Sequence, residues 1–233
     1  FKKHVRVSGK NGMSKELSAG KNTLENSIYK ITLNADGDIS SLFDKRVNKE
    51  LVQPGKAIRL ALFTNNPSRS WPAWEIMKST LDAAPVSVNE NVEISVVENG
   101  PLRSALKIEK THGDSKFIQY LRLFDGALAD RIDVANDVDW NTKNALLKAE
   151  FPMSFSNPQA VYDLGIGHIS RGNNTKTAYE VYAQYWADLT APDNSYGLSI
   201  LNNCKYGWDK PDDNTLRLTL LHTPQAGGYS YQS

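Results

Sequence analysis

The stretch Thr-Leu-Arg-Leu-Thr-Leu-Leu-His, residues 215–222, alternates apolar and polar side chains. Leucines at every second position point to one side of an extended chain, and Arg217 and Thr219 point to the other side. A period of two, rather than 3.6, is typical of a β-strand with one buried face. The stretch therefore predicts a half-buried strand.

The same alternation recurs along most of the chain, whereas helical periodicity is scarce. It is found in residues 28–33, 57–63, 92–97 and 131–140. Segments rich in Gly, Asn, Asp and Pro separate the strands and predict about a dozen short ones. Without a βαβ rhythm the sheets should be antiparallel, and this many strands normally divide into two packed sheets. We therefore predict an all-β fold, a large antiparallel β-sandwich of the supersandwich type, similar to galactose mutarotase.

The composition narrows the classes of partner. Lys plus Arg number 27 and Asp plus Glu number 26, which leaves a formal charge of +1 with no block of like charges. This balance predicts a neutral partner, with no nucleic acid and no membrane. The single cysteine, Cys204, excludes an intrachain disulfide and a thiolate metal site. No apolar run approaches the ~20 residues that cross a bilayer. We expect a soluble chain, whose cytoplasmic or periplasmic location the sequence does not distinguish.

The two ends of the chain differ from its middle. Residues 1–24 are polar and contain three glycines, which predicts a linker or the end of a preceding element. Residues 25–233 are predicted to form one sandwich domain. The last residues, around Gly227-Gly228-Tyr229, lack a closing strand pattern, so we expect the domain to be truncated at its C-terminus.

Six segments, taken in order, resemble the C-terminal β-domain of the family 38 α-mannosidases, in particular the bacterial and cytosolic types. They are ENSIYKITLNADGDISSLFDKRVNKEL (25–51), SWPAWEI (70–76), DVDWNTKNALLKAEFP (137–152), YDLGIGHISR (162–171), QYWADLT (184–190) and YGLSILNNCKYGWD (196–209). The resemblance covers roughly residues 25–225.

The chain departs from the family pattern at two places. The family usually continues its Arg with Pro-Thr-His-x-Asn-Thr, where this chain has residues 172–175, Gly-Asn-Asn-Thr. The family usually has Asp where this chain has Asn203. An amide keeps the acceptor oxygen of a carboxylate but loses its charge, so a salt bridge or metal contact at this position would be weaker.

The resemblance implies a division of labour between domains. Family members are retaining enzymes that hydrolyse terminal α-mannosides, with an Asp nucleophile and a zinc ion held by Asp and His on an N-terminal α/β domain. The resemblance thus implies that this chain is the non-catalytic sandwich part of an α-mannosidase, which shapes and supports the active-site cleft. Its implied partners are the N-terminal catalytic domain of the same chain and a mannose-containing glycan. Zinc is expected in that N-terminal domain, with no cofactor in this chain.

The residues themselves favour no catalytic group and no metal site. The four histidines, at positions 4, 112, 168 and 222, lack the spacing of metal ligands. Asp137 and Asp139 alternate with apolar residues and should lie on the outer face of a strand. Asp212 and Asp213 belong to a turn-forming segment.

Two segments are candidates for contact with substrate. Trp71 and Trp74 flank Pro72 in a stiffened loop, and indole rings stack well on sugars, although such a pair can equally cap a core. The second candidate is the loop 202–208, for which the resemblance implies a position towards the catalytic cleft. Its candidate substrate-binding residues are Asn203, Lys205, Tyr206 and Trp208.

Two interpretations compete with contact to substrate at these places. The loop 202–208 could instead pack the sandwich against the rest of the parent, helped by Arg171 and Asp188. Trp186, inside a predicted strand, is expected in the core.

Two other functions stay open for a sandwich of this kind. A carbohydrate-binding module would bind glycan by itself through exposed aromatic side chains. An aldose epimerase similar to galactose mutarotase would use a His and a Glu as acid and base, and no such pair stands in a motif-like setting here.

Overall fold

The computed structural model describes residues 17–226, and nearly all of their regular structure is β-strand. The first sheet contains five strands in sequence order: β1 (Ser18–Ala19), β2 (Thr23–Glu25), β3 (Tyr29–Leu33), β4 (Ile39–Asp44) and β5 (Lys49–Glu50). Three short strands and a five-residue helix follow: β6 (Arg59–Phe63), β7 (Pro67–Ser68), α1 (Lys78–Asp82) and β8 (Val86–Ser87). The second sheet, in the order β12-β11-β10-β9, contains β9 (Glu90–Asn99), β10 (Arg103–His112), β11 (Ser115–Phe124) and, after a 3₁₀ turn at Gly126–Leu128, β12 (Ile132–Asp139).

The remaining strands complete two further sheets. They are β13 (Ala145–Pro152), β14 (Gln159–Asp163), β15 (His168–Gly172), β16 (Val181–Tyr182), β17 (Trp186–Thr190), β18 (Gly197–Leu201), β19 (Gly207–Asp209), β20 (Thr215–Thr223) and β21 (Gln225–Ala226). The central sheet has the order β16-β19-β20-β13-β6-β8, and the outer sheet has the order β15-β14-β17-β18. These pairings are antiparallel, which confirms the predicted fold class.

One pairing departs from the antiparallel rule. Strand β21 lies parallel to β7, and the N–H of Gln225 donates to the carbonyl of Asn66 at 2.9 Å.

The main hydrophobic core is shared by all four large sheets. Each sheet directs buried apolar side chains into it, among them Ile31, Leu106, Tyr162 and Leu216. The predicted strand 215–222 is β20, in the middle of the central sheet. Leucines at 216 and 218 are buried in the core, as their alternation predicted. A sandwich in which several sheets pack on one core explains why the chain folds without disulfides.

The predicted domain start at residue 25 lies inside β2. Leu17 and Leu24 are buried in the main core, and β1 begins at Ser18. The polar composition of this segment concealed the two leucines that anchor it. The rest of the predicted linker, residues 1–16, and the predicted truncated end, residues 227–233, lie outside the described part of the chain.

A buried ion pair links the first and second sheets. The turn between β3 and β4 places Asp38 against the ammonium group of Lys110 on β10, and both side chains are buried. Burial is the largest influence on Asp38 and raises the pKa of its carboxyl, although Lys110 opposes the shift. Gly37 has φ +71°, and an added Cβ would lie 2.6 Å from Ile108, so a side chain at this turn would separate the sheets.

The other face of the central sheet carries a second set of buried charges. Lys148 on β13 has a side chain with 0% exposure, and its ammonium group lies 2.5 Å from Glu180 Oε2. The same group lies 2.8 Å from Asp209 Oδ1, an ion pair without favourable hydrogen-bond geometry. Thr219 Oγ1 donates to the second oxygen of Glu180 at 2.5 Å. One ammonium group therefore joins β13, β19 and the segment before β16.

The set of charges continues along the sheet. Arg59 Nε donates to Glu150 Oε1 at 2.8 Å. Arg217 Nε lies 3.5 Å from Asp209 Oδ2 and 3.7 Å from Glu150 Oε2. We call these residues the polar layer; its members are Arg59, Lys148, Glu150, Glu180, Asp209 and Arg217. Three cations and three carboxylates balance, so the layer can be buried without net charge.

We predict that Lys148→Ala lowers the free energy of unfolding by about 3–5 kcal/mol, because it leaves Glu180 and Asp209 without their buried cation. Lys176→Ala is the matched control, since Lys176 is exposed, and should change that free energy by about 0.5 kcal/mol or less. Urea unfolding of the three proteins measures the difference. A similar small change in both variants would show that the polar layer contributes little to stability.

Candidate functional site

The predicted aromatic pair lies at the surface. Trp71 and Trp74 are 61% and 81% exposed, and their ring centroids are 5.7 Å apart with the planes inclined at 39°. This pair is therefore not a cap on the core. Its rings are open to a ligand, and contact with a glycan stays a prediction.

A single carboxylate holds residues 68–75, the loop that carries the pair and that we call the aromatic loop. Glu75 Oε2 accepts hydrogen bonds from Ser68 Oγ at 2.7 Å, from the N–H of Arg69 at 2.7 Å and from the N–H of Ser70 at 3.1 Å. These donors, the Ser68 hydroxyl first, lower the pKa of Glu75 to about 2. The carboxylate thus stays ionised at neutral pH and keeps the loop in one shape.

His222, at the end of β20, also holds this loop in place. Its Nδ1 lies 2.8 Å from Asn66 Nδ2, and its Nε2 lies 3.1 Å from the carbonyl of Pro72. Because an amide nitrogen only donates, Nδ1 must accept, and the proton is on Nε2, which donates to Pro72. The ring is therefore neutral, and burial lowers its pKa.

The loop 202–208 is braced by its own polar groups. The N–H of Asn202 donates to the carbonyl of Tyr185 at 2.8 Å, and its side-chain oxygen accepts from the N–H of Lys205 at 2.8 Å. Lys205 Nζ donates to the carbonyl of Leu220 at 2.9 Å. Cys204 takes φ +61°, a left-handed conformation that is uncommon outside glycine. The Lys205 ammonium group thus holds the loop against β20, whereas Asn203 and Tyr206 are exposed.

The burial of two tryptophans differs from the sequence-based prediction. Trp208 is fully buried in the main core and packs edge-on against Tyr162, with ring centroids 6.4 Å apart. It pairs with the inward-facing Leu218, so it cannot contact a ligand at the surface, and the sequence-based assignment is corrected. Trp186, expected in the core, is only partly buried and lines a surface cleft of the outer sheet.

Three loops meet at the end of the outer sheet. Asp163 joins two of them, because its Oδ1 accepts from the N–H of Gly165 at 2.8 Å and its Oδ2 accepts from the N–H of Tyr185 at 2.9 Å. The bond between Asn202 and Tyr185 adds the third. We call residues 163–167, 182–185 and 201–206 the loop cluster. Sequence reasoning missed the role of Asp163, although the glycines at 165 and 167, both with φ +81°, indicate a tight turn after it.

The loop cluster exposes an unusual amount of apolar surface. Its large exposed side chains are Ile166 (97%), Leu201 (76%), Tyr182, Tyr185 and Tyr206. Clustered exposed apolar side chains of this kind commonly mark an interaction surface. Arg171, which was a candidate for the interface, is used internally: its guanidinium lies over the rings of Tyr162 and Tyr182, and Nη1 donates to the carbonyl of Tyr182 at 2.8 Å.

Both predicted segments attach to the same part of β20. Lys205 reaches the carbonyl of Leu220, and Pro72 accepts from His222. Residues two apart on a strand are separated by roughly 7 Å, so the aromatic loop and the loop cluster are anchored close together. Strand β20 therefore couples the positions of the two segments.

The acidic pairs lie where the sequence predicted. Asp137 and Asp139 are exposed on β12, and Asp212 accepts from the N–H of Asn214 at 2.9 Å in a turn. Within residues 17–226, no three His, Cys, Asp or Glu side chains converge to hold a metal ion. The helices of this described part are all too short to cross a membrane.

The profile of the family described as "Glycosyl hydrolases family 38 C-terminal domain" matches residues 24–227. The chain belongs to this family. The family 38 C-terminal domain is thus the unit described above, and the resemblance drawn from six sequence segments is confirmed.

Curated relatives of this domain are named α-mannosidases. "Alpha-mannosidase 2C1" of Mus musculus is 31% identical over 213 residues, which are 89% of this chain and 20% of the relative. "Alpha-mannosidase G" of Dictyostelium discoideum is 29% identical over 230 residues, which are 92% of this chain and 20% of the relative. The chain therefore spans about one fifth of the length of these relatives.

Solved structures share the fold. A family 38 glycosyl hydrolase from Enterococcus faecalis matches with a TM-score of 0.72 at 14% identity, over 92% of this chain and 28% of that one. An α-mannosidase from Enterococcus faecalis V583 matches with a TM-score of 0.71 at 14% identity, over 92% of this chain and 27% of that one. At this identity the likeness establishes the β-domain fold alone.

We predict that the stability of the domain falls as the pH drops below about 6.5, because His222 is held neutral in the folded state but protonates near pH 6.5 when unfolded. A lowered folded pKa means that the stabilisation is complete above the unfolded pKa and is lost as pH falls towards the folded one. His222→Gln should reduce the pH dependence of the unfolding free energy between about pH 7.5 and pH 5.5. His168→Gln, at an exposed position, is the control and should retain it. Equal pH dependence in wild type and H222Q would contradict the neutral state assigned to His222.

Proposed function

We propose that this domain is the non-catalytic sandwich part of an α-mannosidase, a glycoside hydrolase that releases terminal α-mannose with retention of configuration. The observation that carries the proposal is the family match over residues 24–227. The names of the curated relatives support the activity of the parent. The domain then serves catalysis by shaping and supporting the active-site cleft.

Zinc and the nucleophile are assigned to the N-terminal catalytic part of the parent. A zinc site needs three or four ligands that converge on one point, and the described residues 17–226 offer no such group of His, Cys, Asp or Glu. The donor set of this stretch therefore does not fit the metal. We derive no step of the reaction through zinc from these residues.

The loop cluster is the surface proposed to contact the catalytic part. It joins an exposed apolar patch to a firmly braced backbone, as expected of a surface that packs against a second domain. Asn203 and Tyr206 are exposed at its edge and present an amide and a phenol. Among the predicted substrate-binding residues of the loop 202–208, these two are free to reach a sugar hydroxyl or a neighbouring carboxylate. Lys205 acts through the loop that it anchors to Leu220.

One observation favours the alternative function of a carbohydrate-binding module. The exposed rings of Trp71 and Trp74 could stack on a mannose-containing glycan without any other domain. In that case the aromatic loop would bind glycan tightly in the isolated chain. In the leading proposal, the same pair only extends the contact between a glycan and the parent.

The test compares hydrolysis of 4-nitrophenyl α-mannoside by the full-length parent and by the 233-residue chain, each with and without added zinc. We expect turnover by the parent and none by the chain, because the proposal assigns the nucleophile and the metal to the N-terminal catalytic part. A cooperative unfolding transition of the chain is the control for correct folding. Zinc-dependent turnover by the purified chain would contradict the non-catalytic role, and a parent that leaves α-mannosides intact would contradict the proposed activity.

A further inference from the structure

The outer sheet carries a cleft that no predicted role uses. It has a volume of about 480 Å³ and is lined by Val161, His168, Trp186, Asp188, Ser199 and Leu201. Such a volume lies within the range of small-molecule sites in proteins. It lies beside the loop cluster, because Leu201 belongs to both.

The register of the outer sheet explains why these side chains share one face. Trp186 pairs with Leu201, and Asp188 pairs with both Val161 and Ser199. Directly paired residues lie on the same face of an antiparallel sheet. The intervening Ala187 and Leu189 are buried in the main core, so the paired residues face outward. The lining of the cleft is thus set by rigid strands rather than by a mobile loop.

Asp188 offers hydrogen-bond acceptors in a fixed orientation. Its Oδ1 accepts from Thr190 Oγ1 at 2.6 Å, and its Oδ2 accepts from Ser199 Oγ at 2.6 Å. A carboxylate has about four acceptor sites, so each oxygen keeps one for a ligand. Among the salt bridges of the described residues none involves Asp188, and its charge is therefore available.

The combination of side chains identifies the chemistry of the ligand. Trp186 presents an indole ring, and Asp188 lies two residues further along the same face, roughly 7 Å away. A pyranose has an apolar face of C–H groups that stacks on an indole and a rim of hydroxyl groups that donate to a carboxylate. We propose that this cleft binds one hexopyranosyl unit, stacked on Trp186 with ring hydroxyls donating to Asp188. The choice of mannose as the unit rests on the proposed function.

The side chains around the cleft favour a neutral ligand ring over an apolar peptide. Ser199 and His168 add polar groups to two sides of the apolar surface formed by Val161 and Leu201. A lysine or arginine side chain could also lie over an indole beside a carboxylate, and this occupant is an outcome of the test. One stacked ring with a few hydrogen bonds corresponds to a Kd on the order of 1 mM.

The experiment follows the indole N–H signals of the ¹⁵N-labelled 233-residue chain during titration with methyl α-mannopyranoside. The Trp186 signal should shift with a millimolar midpoint, while the signals of Trp71 and Trp74 stay unchanged. Asp188→Asn keeps the shape of the side chain but weakens its acceptors, and should raise the Kd at least about tenfold. Trp186→Ala should abolish binding, as measured by saturation-transfer difference NMR on the ligand.

Three results would overturn the proposal. They are a titration without any shift of Trp186, a shift confined to Trp71 and Trp74, and binding of arginine amide in place of the mannoside. Failure here is distinguishable from failure of the proposed function, because hydrolysis by the parent is measured independently. If the parent hydrolyses α-mannosides but the 233-residue chain does not bind methyl α-mannopyranoside, only the proposed binding at the cleft is refuted.

Discussion

The ammonium group of Lys148 is the constraint on which the arrangement of this domain depends. It lies on the central sheet without exposure to solvent, and a buried cation is tolerated only when carboxylates accompany it. Glu180 and Asp209 supply them from two different parts of the chain, so the segment before β16 must cross this face of the sheet. That crossing leads directly into residues 182–185 of the loop cluster. The electrostatics of the sheet therefore position the surface that we associate with function.

The interactions that stabilise the loop cluster and the aromatic loop differ from those that stabilise the sheets. The strands of the four large sheets share the main core, whereas side chains hold the loops from within: Asp163 and Glu75 each accept from two main-chain N–H groups, and Asn202 accepts from one. A rigid sandwich with braced loops at one end can present a fixed surface to a second domain. In the α-mannosidase that we propose as the parent, such a surface would limit how the cleft can open and would order its rim.

Sequence periodicity predicted which residues share a face, but not what covers that face. The alternation in residues 215–222 located the buried leucines of β20, yet Arg217 on the opposite side is buried too. Its guanidinium lies over the ring of Phe63 and close to Asp209 and Glu150. The outward position of Trp186 could have been predicted from the sequence. Trp186 alternates with the apolar Ala187 and Leu189, as the polar Asp188 and Thr190 do. The burial of Trp208 could not have been predicted in this way, because β19 has only three residues and shows no alternation. The contacts of Asp163 join residues 22 positions apart, and no local pattern encodes them.

The most direct measurement is hydrogen exchange on the 233-residue chain and on the full-length parent, compared peptide by peptide. If the loop cluster packs against the catalytic part, amides in residues 163–167, 182–185 and 201–206 should exchange more slowly in the parent. Amides in the turn of residues 99–103, which joins β9 to β10 and belongs to neither loop, should exchange at the same rate in both. Unchanged exchange in the loop cluster, or slowing confined to other surfaces, would contradict the account.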